Sequence, residues 1–322
     1  MNITVLGPGA WGTALAKLAV DGGHHVTMWG SAKRLAAIRA AGENTDYLPD
    51  IKLPESFQFE HNFSRATADS EGIILAVPSR SFREVATQLT GNERLLVSVT
   101  KGIEHESGLT MGGILGECAP NATVAALSGP SLAAEVAAGI PTALVCASSN
   151  ADTAATVQNW FHCPTLRIYT STDLHGVELG GALKNVVAIA AGVCDGLQLG
   201  DNAKAALITR GLSEIRRLGA AAGAKANTFN GLSGMGDLTV TCFSKLSRNR
   251  TLGERIARGE PLKDVLASAT AEGFPTAKSA RALARRLGVE TPIIDQVAAM
   301  LHEGKDARQA MNDLLTRDPK AE

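Results

Sequence analysis

The chain is poor in cysteine, with five in 322 residues, at positions 118, 146, 163, 194 and 242. Their odd number, their scatter and the lack of any C-x-x-C or histidine-clustered spacing argue against a disulfide framework and against a zinc site. The seven histidines form no H-x-x-x-H pair, so no metal is expected. An excess of one charge is also missing. A formal net charge of −1 provides no global basic field, which argues against a nucleic-acid partner or an anionic membrane surface. Any anion must therefore be bound locally. Long apolar runs are missing too: stretches such as VVAIAAGV, Val186 to Val193, fall far short of the roughly 20 residues that cross a bilayer. The chain opens on strand-like residues rather than a charged leader, so a cytoplasmic protein without membrane insertion is expected. A hydrophobic content of 45% over this length leaves ample core for two domains.

What is present begins with GPGAWGTALA, Gly7 to Ala16. Glycines at 7, 9 and 12 fit G-x-G-x-x-G, a pattern that alone often marks only a flexible turn. Here Ile3, Val5 and Leu6 lead into it as a short buried strand, and Ala14, Leu15, Leu18 and Ala19 give a following helix its apolar face. In such a unit the first glycine permits the turn, the second lets the backbone approach a pyrophosphate, and the third lets helix pack on strand. The helix N-terminus then faces the phosphates. A dinucleotide is expected at Gly7, Gly9, Ala10 and Gly12, with Trp11 either covering it or merely packing. A second strand follows at His25–Trp29, and NAD-binding units place an acid at its end, about 20 residues past the loop. No carboxylate stands between Asp21 and Glu43, whereas Lys33 and Arg34 do. That combination suits a 2′-phosphate, which an acid would repel and a guanidinium can grip, so NADP is preferred over NAD. The two cations are not separable at this level, and a solvated helix face is the competing explanation.

The texture of the chain changes near residue 172. Before it, GIILAV, LLVSVT, TVAALS, TALVCA and LRIYT read as strands covered on both faces, alternating with helices. This predicts an α/β fold, with a Rossmann-like doubly wound sheet over residues 1–172 and an all-helical domain over 173–322. After it, apolar residues recur at three and four, with proline or glycine between segments.

Three polar features look wrong for packing alone. Lys184 stands in LGGALKNVVAIAA, apolar on nearly every helical face, where burial lowers a lysine's pKa toward neutrality and suits a proton donor; the alternative is that it snorkels to water. Asn185 is a second polar group in the same setting. Lys101 follows LLVSVT at a strand end, where ligands of such sheets bind. GLSGMGD, Gly231 to Asp237, resembles a loop that must come close to something. The SRNR that follows sets Ser247 as an N-cap and cations in a first helical turn, against the dipole. An anion there would remove the conflict, and a solvated basic run is the alternative.

GPGAWGTALA, VTKGIE, SGPSLAAEV, ELGGALKNVVAIAAG and GLSGMGDLTVTCFSKLSRNR, in that order over nearly the whole chain, resemble the bacterial NAD(P)-dependent glycerol-3-phosphate dehydrogenases. That family reduces dihydroxyacetone phosphate reversibly to sn-glycerol 3-phosphate, mainly to supply phospholipid backbones. The resemblance implies that Lys184 is the catalytic acid and base, and that Lys101 contacts substrate and cofactor. It places Gly129 and Ser131, then Asp237, Ser247, Arg248 and Asn249, against substrate, with Arg248 the natural phosphate partner. Asn185 and Thr241 correspond to pocket residues of related eukaryotic enzymes. Trp11, Lys33 or Arg34, Ala133, Glu272 and Arg248 match cofactor-binding positions. Dimers are common among such dehydrogenases, and a homodimer stays an open expectation with no interface legible in the pattern. A 3-hydroxyacid dehydrogenase would space its lysine and asparagine about one helical turn apart, whereas Lys184 and Asn185 are adjacent. A non-catalytic NADPH sensor would need no lysine inside an apolar helix.

Overall fold

In the computed structural model, which describes residues 1–268 and 270–318, the apolar runs of the first half pair into one eight-stranded sheet. The strands are β1 (Asn2–Leu6), β2 (His25–Trp29), β3 (Glu43–Asn44), β4 (Leu48–Lys52), β5 (Gln58–Glu60), β6 (Gly72–Leu75), β7 (Leu95–Ser98), β8 (Thr123–Ser128), β9 (Thr142–Ala147) and β10 (Leu166–Ser171). The sheet runs β10-β9-β8-β7-β6-β1-β2-β5, and β3 with β4 forms a separate hairpin. Central β1 sets Ile3 against Val26 of β2 on one side and Gly72 of β6 on the other, both parallel. The order of strands reverses there, which opens a crevice beyond the carboxyl end of β1. Leu15 and Ala19 of helix Ala10–Asp21 join Ile3, Val5, Ile74 and Val97 in the core beneath.

One junction departs from the all-parallel expectation: β8 and β9 are antiparallel. The helix between them, Ala133–Ala137, has 5 residues against 6 in β8. It advances about 7.5 Å, too little to carry the chain back along a strand of about 20 Å, so β9 begins near the end where β8 stops.

This sheet belongs to a unit made of residues 1–100 and 111–177. The second unit takes residues 101–110 together with everything from 178 onward. Its centre is helix Leu174–Gly196, whose Leu179, Leu183, Val186, Val187 and Ile189 are fully buried. At 23 residues this helix is long and apolar enough to cross a bilayer, but the qualifying window is wholly buried in the protein. The short-run reading of the sequence is corrected on length and replaced by a core helix. Around it lie helices Gly200–Ala221, Asp237–Phe243, Arg248–Ala257, Gly273–Arg286 and Pro292–His302. Segment 101–110 joins them because Ile103 buries its side chain in this core, worth about 1.5–3 kcal/mol. Arg286 also donates from Nη1 to the Ser107 carbonyl at 3.0 Å.

Candidate active site

In the first unit, the glycine loop has the shape its spacing implies. Gly7 takes φ +115°, and a Cβ there would stand 2.8 Å from the Ala76 carbonyl oxygen, so a side chain is excluded by conformation and by contact. A Cβ on Gly12 would lie 2.2 Å from the Gly7 oxygen, whereas one on Gly9 would meet nothing within 4 Å. That open side leaves room for the backbone to approach a pyrophosphate. Helix Ala10–Asp21 begins there with no side-chain cap and no acid in its first turn, so its N–H groups and positive dipole end remain available to an anion. The indole N–H of Trp11 is buried without an acceptor, and a cofactor oxygen would satisfy it. Trp11 and Ala133 pack on one small cluster, with Ala14 and Ala137. Gly129, at φ +126°, accepts at its carbonyl oxygen from the Ser131 hydroxyl at 3.1 Å.

The structure separates the two cations that the sequence left equivalent. Lys33 is exposed, whereas the Arg34 guanidinium lies 4.6 Å from the centre of the Tyr47 ring and donates to the Tyr47 hydroxyl at 2.9 Å. A guanidinium held over an aromatic ring is pre-ordered for a phosphate. Sequence reasoning passed over Tyr47 and also Asn44, which is almost fully buried and donates to the Pro8 oxygen at 3.0 Å and the Thr13 hydroxyl at 2.8 Å. Tyr47 stands 13 residues from Arg34, and Asn44 stands 36 and 31 residues from Pro8 and Thr13, with no local periodicity to mark either. The residues of this unit therefore fit a dinucleotide carrying a 2′-phosphate.

In the second unit, helices bring the remaining polar candidates into two connected clusters. Helix Asp237–Phe243 puts Asp237 and Thr241 on one face, four residues apart. Asp237 is 1% exposed, and its carboxylate meets Lys184 Nζ at 2.9 Å and Lys101 Nζ at 2.6 Å. Lys184 also donates to the Thr241 hydroxyl at 2.7 Å, which donates on to Asp237 Oδ1 at 3.2 Å. Lys184 does not snorkel. Burial pushes its pKa down to about 8; the Asp237 charge opposes that shift and the Lys101 ammonium adds to it. Burial works to raise the Asp237 carboxyl, but the two ammonium groups together hold it below the ordinary value.

The glycine-rich loop does come close to something. Leu232–Gly236 forms one π-helical turn, and a Cβ on Gly180 of the Lys184 helix would stand 2.8 Å from the Ser233 carbonyl oxygen. Backbone contact at that point lets Asp237 reach the lysine. One residue further along the helix, Asn185 faces the second cluster. Its Oδ1 accepts from Asn249 Nδ2 at 2.8 Å, and Asn249 Oδ1 accepts from the Gly273 N–H at 2.9 Å, beside Glu272. Ser247 caps helix Arg248–Ala257 by accepting from the Arg250 N–H at 3.2 Å. Arg248 is exposed and makes no hydrogen bond or ion pair among the described residues. The arrangement offers a proton donor tuned near neutrality, a second ammonium beside it, and a helix start with an outward guanidinium suited to phosphate.

Known proteins resemble this chain in sequence and fold. Residues 2–154 match the family model described as NAD-dependent glycerol-3-phosphate dehydrogenase N-terminus, and residues 173–312 match that of the C-terminus. A glycerol-3-phosphate dehydrogenase (NAD(P)+) of Syntrophotalea carbinolica is 48% identical over 100% of this chain and 99% of its own length. That of Geobacter metallireducens is 47% identical over 100% and 98%. Among solved structures, glycerol-3-phosphate dehydrogenase from Coxiella burnetii superposes with a TM-score of 0.95 at 37% identity, covering 98% of this chain and 99% of that one.

Proposed function

The chain belongs to the NAD-dependent glycerol-3-phosphate dehydrogenase family, and from that premise we propose how its residues divide the work. It is an NAD(P)-dependent oxidoreductase that interconverts dihydroxyacetone phosphate and sn-glycerol 3-phosphate. Residues 1–172 serve the cofactor, and residues 173–322, joined by Lys101, serve substrate and proton transfer. The observation that carries this assignment is the Asp237 carboxylate shared by Lys184 and Lys101.

When bound, the reduced nicotinamide supplies the hydride that C2 of the ketone accepts. Lys184 gives its proton to the carbonyl oxygen as that oxygen gains charge, and takes it back in the reverse reaction. Lys101 sets a second positive charge where the alkoxide develops, while Asp237 keeps both ammonium groups in place. Arg248, Asn249 and the N–H groups opening their helix hold the phosphate. Binding energy from that remote group orients C2, so a substrate lacking it loses turnover as well as affinity. Gly129 and Ser131 are assigned to substrate, and Arg248 and Glu272 also to cofactor, on the resemblance alone. Arg34 grips the 2′-phosphate and makes NADP the preferred cofactor over NAD. A cytoplasmic setting is supported by five free cysteines, and the buried placement of Leu174–Gly196 supports a chain that does not insert in a membrane. A homodimer is proposed only from the habit of such dehydrogenases.

The test is oxidation of NADPH and of NADH with dihydroxyacetone phosphate and with unphosphorylated dihydroxyacetone. Fast oxidation of NADPH that requires the phosphate is expected, and Lys184→Ala should keep NADPH binding yet lose about a thousandfold or more in rate. Near-normal turnover in that variant removes Lys184 from the role. Turnover that favours NADH keeps the enzyme and cancels the Arg34 assignment.

A further inference from the structure

The helix that carries Arg248 and Asn249 rests on the Lys184 helix almost backbone to backbone. A Cβ on Gly192 would stand 1.9 Å from the Arg250 carbonyl oxygen, and one on Gly253 would stand 2.0 Å from that of Ile189. Such contacts fix the distance between two helices. They constrain rotation and sliding less, because glycine faces have no side chains to interlock. Leu252, buried in the core, and polar anchors set those. One polar anchor is the Asn249–Asn185 bond at the site. The other lies ten residues along the Lys184 helix, about 15 Å away. There Asp195 Oδ2 accepts from Arg250 Nε at 2.6 Å, and both its oxygens accept from Lys204 Nζ at 2.9 Å. Lys204 is buried, with the Phe243 ring 4.8 Å from its ammonium, and Arg250 also pairs with Glu254 at 3.2 Å.

A largely buried ionic group of this kind adds little net stability, and setting register is its best-attested use. The basic first turn of this helix thus splits by direction. Arg250 turns inward to Asp195, while Arg248, two positions earlier and roughly 200° around the axis, stands exposed. We propose that Asp195, acting through Arg250, is a positioning residue for the phosphate: it locks the rotation of helix Arg248–Ala257 so that Arg248 and the capped helix start face the substrate. The proposal rests on the phosphate assignment made above.

The test compares kcat/KM for dihydroxyacetone phosphate with that for unphosphorylated dihydroxyacetone. Asp195→Asn leaves Lys204 buried without its counterion and risks misfolding, so Arg250→Met, which keeps the Asp195–Lys204 pair, is made beside it. In Arg250→Met the ratio of the two constants should fall about tenfold or more, through both KM and kcat, as loss of the remote phosphate grip requires. The constant for the unphosphorylated ketone and the thermal shift given by NADPH should stay at wild-type values, and Arg250→Lys should recover part of the loss. A fall shared equally by both substrates means a merely structural role and overturns the proposal. So does an unchanged ratio in Arg250→Met when Arg248→Ala lowers it. An unchanged ratio in Arg248→Ala itself overturns the phosphate assignment, and the positioning role falls with it.

Discussion

Two neighbours act on the Lys184 proton in opposite directions, since Asp237 stabilises the ammonium and Lys101 repels it, while burial sets the pKa near 8. Reduction of the ketone needs the protonated amine, so its kcat/KM should fall as pH rises through about 8. Oxidation of glycerol 3-phosphate needs the neutral amine and should rise through the same window. Lys101→Met removes the repelling charge and should move both limbs to higher pH, whereas Asp237→Asn removes the attracting one and should move them lower. A midpoint that stays put in both variants would disconnect Lys184 from the profile. Lys184 was legible in the sequence because a charge on an otherwise apolar helix is anomalous over a few residues. Asp237 was also singled out, but whether it orients Lys184 or holds a substrate hydroxyl was not legible, because it lies 53 residues away and nothing local says which lysine it meets.

At the scale of elements, one buried acid serves as a cap for a neighbouring helix. Glu214, on helix Gly200–Ala221, accepts from the N–H groups of Ile293 at 2.8 Å and Ile294 at 3.2 Å, in the first turn of Pro292–His302. Burial pushes its carboxyl up to about 7, against the two N–H bonds, which favour the charged form. Because the folded value lies above the ordinary 4.5, the native state holds the extra proton. The resulting stability is full below about 4.5 and lost as pH rises through about 7, roughly 3 kcal/mol over that window. Denaturant titrations of wild type and Glu214→Gln across it should show the wild type losing ground to the variant as pH rises; parallel curves would refute the linkage. The elements themselves were largely legible from apolar period and glycine or proline punctuation. The antiparallel entry of β9 was not, since it depends on how far a short helix can carry the chain.

For the whole molecule, cofactor preference has an equilibrium readout that needs no turnover. A ligand that binds only the folded state raises its stability with affinity, by about 2.7 kcal/mol at a hundred times Kd. NADPH should therefore raise Tm more than NADH at equal concentration, and Arg34→Ala should close the gap, while Lys33→Ala leaves it open. A gap that survives Arg34→Ala would place the 2′-phosphate elsewhere. The sequence by itself determined the fold class, the glycine loop, the anomalous lysine of the apolar helix and the family, because strand and helix periods, tight turns and contiguous motifs are written locally along the chain. Tertiary structure alone decided that Arg34 rather than Lys33 is held on an aromatic ring, that Asp237 joins two lysines, and that Arg250 turns inward to Asp195. It also assigned segment 101–110 to the helical unit. Each of these outcomes depends on side chains distant in sequence meeting in a packed interior, where burial and partner geometry, not local pattern, select the contact.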